Sequence, residues 1–530
     1  MTAQSRRDLL KAAAAAPLMG GLAACVTAAE GASPVPGHQA SAVPSTETLD
    51  GWLRQLHRFG PIRATGTSQC RAFEEFLATE FGKLGCEVRR EQFRLTSWEC
   101  DLADCFIAID PDDNCRPGQI CVSDVERLNV VAYYPFAAST KTTGLVSGRV
   151  LFGGTGENCG PEILARYPAE QLAESIVVID MPLAGGGVRG TVRYYPESFP
   201  NPLPEPVAAP RGASQGGRGP MAALEGKCKG IIFCYTDVSD EAARYNYLPF
   251  SDQHRTIPAL WVGKRGSDYL KSVSGKARAT IKCDAKLTPD ARADSLLAIL
   301  KGETDEVIYM TTHTDGPNEV NDNGALGLLA AATYLSKIPN RKRTVVFSLP
   351  TGHYAAGAIA DARTGSGRRA GTGGNMAKWP EFVDRAVAQI ALEQMGAMEW
   401  ADVDGRWGPT GRVAPENWIP TPAVAPTINK LMMACTPGLD PRFSRVGLVE
   451  SGQAPGEGGG LRTRGIPGVG LMGSPHYFFR CDPAGVIDKL SPRVMRNQVL
   501  ITTRLLALMD RLSPAQLKGE SPIGEAELRA

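Results

Sequence analysis

His313 and Asp315 stand two residues apart at the end of an apolar run, Val307 to Met310, extended by Thr311 and Thr312. The β-branched, apolar run predicts a short buried strand. If the extended conformation continues, alternation puts both side chains on one face. A turn-rich segment follows, Gly316-Pro317-Asn318. Asp322 and Asn323 then precede Gly324 and a helical run, Ala325 to Ile338. An imidazole and carboxylates therefore collect where a strand ends and a helix begins, the edge at which open α/β sheets form their ligand crevices. Neutral imidazole nitrogen and carboxylate oxygen suit zinc. A neighbouring carboxylate can also fix the tautomer of a ligating histidine. The pattern points to a metal site rather than to an incidental polar loop.

The elements that must position these groups are legible on both sides. Leu49, Leu53 and Leu56 recur at helical spacing, and a second helix runs from about Gln69 to Leu84, stopped by Gly85. Val88 to Leu95 reads as a strand. Leu296–Leu300, Thr344–Leu349 and Val387–Leu392 are further buried strands. Past the second of these stand Thr351-Gly352-His353-Tyr354, and past the third Glu393-Gln394-Met395-Gly396. If the strands are parallel, His353 and Glu393 share the edge with His313. Ser491-Pro492 opens a long C-terminal helix, the serine as cap and the proline in the first turn. Between about 140 and 290 the texture changes to short strands separated by Gly/Pro-rich loops. His254 lies there and reads as structural; His38 and His57 carry no site signal.

With 530 residues the chain predicts two or three domains. A net charge of +1, with no basic stripe between aromatics, excludes nucleic-acid binding as the main function. No apolar run in the mature region is long enough to span a membrane. The first residues, Ser5-Arg6-Arg7-Asp8-Leu9-Leu10-Lys11 before the apolar Ala12–Ala24, resemble a twin-arginine signal. This implies a periplasmic protein. Leu22-Ala23-Ala24-Cys25 is similar to a lipoprotein box, so the alternatives are a lipid anchor on Cys25 or ordinary cleavage near Ala28. Cys86, Cys100, Cys105, Cys115 and Cys121 crowd one region, where an oxidising compartment favours disulfides. No CxxC pair has zinc-knuckle spacing, which argues against a thiolate zinc site. The one G-x-S-x-G string, Gly212-Ala213-Ser214-Gln215-Gly216, lies in the irregular, Gly/Pro-rich stretch 182–220 and not between a strand and a helix, which sets aside a serine hydrolase.

HTD…DNGALGLL resembles the zinc exopeptidases of the bacterial leucyl aminopeptidase and glutamate carboxypeptidase type. The resemblance implies a mixed, largely parallel α/β sheet flanked by helices. It makes His313 a ligand, Asp315 its orienting neighbour and Asp322 a metal-bridging carboxylate. LEQMG places Glu393 at the family's next acidic ligand. The stretches around "CKGIIF" and "IPALWV" resemble an inserted protease-associated domain that shapes substrate access. The implied division is 1–47 signal and linker, 48–139 and 291–530 the exopeptidase-like domain, and 140–290 the β-rich insert.

The chain also departs from the family. Thr351-Gly352 occupies the positions of a Glu-Glu pair that supplies base and ligand, with His353 next to it. Gly456-Glu457-Gly458 stands where Ser-Asp-His is common. His476 lies near, but out of register with, the last histidine ligand. The expectation is one or two divalent ions, zinc by family, on His313, Asp322 and Glu393, with His353 and His476 able to rebuild the second position. His353 serves there as base or ligand. The implied activity is hydrolysis of a peptide or small amide substrate; the alternative is a non-catalytic binding or receptor-like lipoprotein of the same fold. Nothing in the sequence sets an oligomeric state.

Overall fold

The computed structural model describes residues 33–113, 126–182, 193–194, 216–361, 371–403, 405–451, 456–473 and 475–529. The signal segment with Cys25 and Ala28, Cys115, Cys121, and most of the irregular stretch 182–220 lie outside them.

One large mixed sheet carries the site. Its strands are β1 (Glu87–Glu99), β2 (Lys286–Leu300), β3 (Thr304–Thr311), β4 (Arg343–Leu349), β5 (Ala386–Glu393), β6 (Glu416–Pro420), β7 (Val446–Ser451) and β8 (Gly468–Met472). The spatial order is β1-β2-β4-β3-β5-β8-β6-β7, with Arg193–Tyr194 added at the far edge. The central strands β4, β3, β5 and β8 are parallel. Thr311 pairs with Ser348 on one side and Ala391 on the other, and Glu393 pairs with Met472. This register makes the carboxyl ends of the four strands coincide, so the polar segments that follow them meet at one edge.

Alternation along the strands divides the core into two layers. Ile308, Met310, Phe347, Leu349, Ile390 and Leu392 face four helices: α1 (Thr46–Arg58), α2 (Ser68–Lys83), α3 (Gly324–Ser336) and α4 (Pro492–Arg511). Val307, Tyr309, Val346 and Leu297 face Met376, Trp379 and Phe382 on the other side. Both faces are covered, which is why these strands read as continuous apolar runs. α1 buries Leu49, Leu53 and Leu56, as the spacing predicts. Ser491 caps α4 by accepting from the Val494 N–H. Helix α3 is apolar all round and lies in the core, and Gly324 lets it press on β5: a Cβ there would come 2.0 Å from the Leu392 carbonyl oxygen.

The antiparallel pair β1/β2 runs out of this layer as a ribbon and ends at Glu99 paired with Lys286. Beyond it lies a second sheet of eight strands with its own core, centred on Val150, Ile176, Val178, Ile231, Phe233 and Trp261. Its strands run from Cys105–Asp110 to Arg278–Cys283, so it begins upstream of residue 140. It packs back on the first layer: the Tyr247 N–H donates to the Phe479 carbonyl at 2.8 Å. The His254 ring bonds the Thr96 carbonyl at 3.0 Å.

Candidate metal centre

His313 stands two residues past the end of β3, 1% exposed. Its Nδ1 lies 2.7 Å from the backbone carbonyl oxygen of Asp315, an acceptor only, so Nδ1 carries the proton and Nε2 is left with its lone pair. The turn after Thr311 therefore uses the Asp315 carbonyl, not its carboxylate, to orient the histidine. The expected shared face of the two side chains does not form, because the strand has already ended. The Asp315 carboxylate points elsewhere. It accepts from Thr65 Oγ1 at 2.7 Å, from the His353 N–H at 3.1 Å and from the Tyr354 N–H at 2.9 Å. These bonds tie the loop after β4 to the loop after β3, so the Asp315 carboxylate, expected to orient His313 and to serve catalysis with His353, instead positions the His353 loop.

That tie sets His353 beside His313: the rings stack with centroids 4.6 Å apart. His353 Nδ1 meets Glu457 Oε1 at 2.8 Å. His313, His353 and Glu457 bring ligand atoms within 4.8 Å of one another. Asp322, Glu393 and His476 do not join this group. His476 sits half-buried in the turn before Tyr477, so the pairing of His353 with His476 is replaced by one with Glu457. Burial opposes a charge on His353, but the Glu457 carboxylate outweighs it and raises the imidazole to about 9. Burial and the neighbouring His353 charge lower His313. Burial likewise opposes ionisation of Glu457, yet His353 holds it below the usual carboxylate range. These shifts favour imidazolium and carboxylate in the pair, whereas base and ligand, the two roles expected of His353, each need the neutral ring.

Asp322 departs furthest from expectation. Arg63, itself 0% exposed, donates from Nε to Oδ2 at 2.6 Å and from Nη2 to Oδ1 at 2.8 Å. Arg63 also donates to the Gly60 carbonyl, and its backbone pairs with Gly316. A guanidinium thus engages both oxygens that a bridging carboxylate would offer to two ions. Burial still pushes Asp322 up to about 6 against that pull. Next to it, buried Glu319 takes the His57 imidazole at 2.5 Å and the Val486 N–H at 2.8 Å.

Glu393 closes β5, 5% exposed, and accepts the Glu457 N–H at 2.5 Å. Gly456 makes this possible: its φ is +114°, and a Cβ would lie 2.9 Å from Glu393 Oε1. Burial, then the charge of Glu457, pushes Glu393 up to about 7. The Phe250 ring of the second sheet's loop stands 5.2 Å from the His353 ring, so that layer walls one side of the cluster.

The donor set fits one zinc-type ion: two imidazoles and one carboxylate, a combination found in catalytic sites that keep a fourth position for water. It does not fit a second ion, because Arg63 holds Asp322. Arg63 is the group that the sequence did not point to, and Glu457 the one it pointed to without a ligand role. For Glu457 the flanking glycines were the available signal; for Arg63 spacing offered none.

No protein-family model and no curated protein matches the chain. Solved structures do. A peptidase M28 precursor from Shewanella amazonensis SB2B aligns with a TM-score of 0.58 at 15% identity, over 89% of this chain and 95% of that one. An aminopeptidase from Aneurinibacillus sp. strain AM-1 gives 0.55 at 13%, over 88% and 95%. BSAP, a zinc aminopeptidase from Bacillus subtilis, gives 0.55 at 14%, over 87% and 94%. At such identities the likeness is one of fold, and it covers both layers of this chain.

Proposed function

We propose that this chain is a metal-dependent hydrolase of peptide or small amide bonds, working with a single divalent ion, zinc by its donors. The observation that carries the reading is the convergence of His313, His353 and Glu457 with His313 Nδ1 already tied to a carbonyl. The shared fold with zinc aminopeptidases supports it. An ion there would supply Lewis-acid polarisation of a carbonyl and make water a nucleophile near neutral pH. The chain's own groups divide the remaining work. His313, His353 and Glu457 bind. Asp315 fixes the His353 loop. Asp322 and Asp315 are saturated by donors and Glu457 binds, which leaves Glu393 to accept the proton released on attack. The wall at Phe250 restricts access, the role expected of a protease-associated insert. Export by the twin-arginine route rests on Ser5-Arg6-Arg7 alone; replacing both arginines by lysine should leave the protein in the cytoplasm.

The test is metal analysis of the purified chain alongside a panel of aminoacyl and peptidyl anilides. One ion per chain is expected, lost in His313→Ala and Glu457→Gln with the fold retained by circular dichroism. A second reading, a binding protein of the same fold, is favoured by the ion pairs Arg63–Asp322 and His353–Glu457, which satisfy each other without an ion. A chain that takes up no divalent ion and cleaves none of the panel would establish that reading instead.

A further inference from the structure

A second donor cluster lies at the neck between the two layers. Cys100 directly follows β1, Cys105 opens the strand Cys105–Asp110, and Cys283 closes the strand Arg278–Cys283 just before β2. Cys105 and Cys283 are paired across antiparallel strands. The three Sγ atoms all lie within 4.8 Å of one another, and those of Cys100 and Cys105 are 3.5 Å apart. All three are thiols. Cys283 is buried, while Cys100 and Cys105 are half-buried, so the cluster has a protected floor and an open side.

We propose that Cys100, Cys105 and Cys283 form a thiolate site for a zinc-type ion that clamps the neck. Zinc–sulfur bonds of about 2.3 Å in a tetrahedron place sulfurs about 3.8 Å apart, close to the 3.5 Å between Cys100 and Cys105 and within the 4.8 Å that bounds all three. Hydrogen bonds from Cys100 and Cys105 lower the Cys283 thiol, while hydrogen bonding within the trio and burial raise the other two. Binding would release the protons held by the thiols and form three sulfur–metal bonds, which makes affinity rise with pH. The open side leaves the fourth position to water.

The placement gives the ion a structural task. The chain leaves the first layer at Glu99 and returns at Lys286, and these two residues are the last pair of the ribbon. An ion held by Cys100, Cys105 and Cys283 would join the outgoing and returning strands and close the whole second layer into one loop. Cross-links that close long loops restrict the unfolded chain most. The site would hold the second layer, and with it Phe250, in a fixed position over the first.

The rival is a disulfide between two of the three thiols, with the third left over. Cobalt substitution separates the two. The full-length chain, purified under reducing conditions and loaded with Co2+, should show sulfur-to-cobalt charge-transfer absorption. His313→Ala should keep that absorption, because the centre at the sheet edge contains no sulfur. Cys283→Ser should lose it; Cys100→Ser, at a half-buried position, is the second variant in case the buried substitution prevents folding. Undiminished bands in a folded Cys100→Ser or Cys283→Ser protein would overturn the proposal. So would absence of the bands in the reduced wild type, or a native mass lowered by one disulfide with no thiolate-bound ion. Failure of the His313 centre to bind metal would leave these readouts unchanged, so the two proposals stand or fall separately.

Discussion

Asp322 and Glu457 are both buried carboxylates at the carboxyl edge of the same sheet, yet they have opposite fates. Asp322 is held at both oxygens by the guanidinium of Arg63. Glu457 is held by the imidazole of His353. A guanidinium is a permanent cation with no acceptor atom, and it cannot give way to a metal by losing a proton. An imidazolium can: it loses a proton and becomes a ligand. One half of the site is therefore closed to ions by chemistry, while the other is paired in a way that an ion can replace. The difference teaches that a carboxylate at the right place in the right fold is not yet a ligand. Its counter-ion decides.

Glu393→Gln gives the largest expected effect on the open half. The variant should keep its metal while kcat on any anilide that the wild type cleaves falls by roughly 10²–10⁴-fold. If metal is lost with turnover, Glu393 belongs with the ligands and the division of roles is wrong.

Arg63→Ala probes the closed half. It leaves Asp322 buried without its partner, and such losses cost about 3–5 kcal/mol. Urea unfolding in the absence of added metal measures it. Replacing both residues together, Arg63→Met with Asp322→Leu, should recover most of that loss. A single variant as stable as wild type would show that the pair does not neutralise Asp322, and the contrast drawn above would collapse.

Gly456→Ala attacks the join between Glu393 and Glu457. A side chain at φ +114° that also meets Glu393 Oε1 at 2.9 Å should cost about 2–3 kcal/mol. It should weaken metal binding along with stability, because it displaces the Glu393 carboxylate from the Glu457 amide that it seats. Unchanged metal affinity would mean that Glu457 is positioned by other contacts.

The smallest effect extends the comparison to histidine. Glu457 raises His353 to about 9, whereas burial, reinforced by Arg504, pushes His38 down to about 4. His38 lies between Ser33 and Thr503, away from any carboxylate partner. Its folded value is below the unfolded value of about 6.5, so the folded state binds fewer protons between those limits. Stability present above about pH 6.5 should fall by on the order of 1–2 kcal/mol as the pH drops towards 4. Urea midpoints at several pH values, compared with His38→Gln, isolate the contribution. Equal pH slopes in both proteins would remove His38 from the account.

The sheet edge itself was legible in the sequence. The apolar runs ending at Thr311, Leu349 and Leu392 are buried on both faces, and such runs announce themselves without any partner being known. The helix stripes of α1, α2 and α4 were legible for the same reason: periodicity is a local property. His313 and His353 followed, because each sits within a few residues of a strand end. What the sequence could not show was which charges meet. Arg63 reaches Asp322 across 259 positions, and Cys283 comes to Cys100 and Cys105 only because the second layer returns to the neck where it began. Glu457 was visible but uncommitted, and its meeting with His353 depends on a loop fixed by Asp315. Local sequence determines where side chains leave a strand or helix, since backbone geometry repeats every few residues. The counter-ion of a buried carboxylate is chosen by the packing of distant segments, and that choice separates a metal ligand from a closed ion pair.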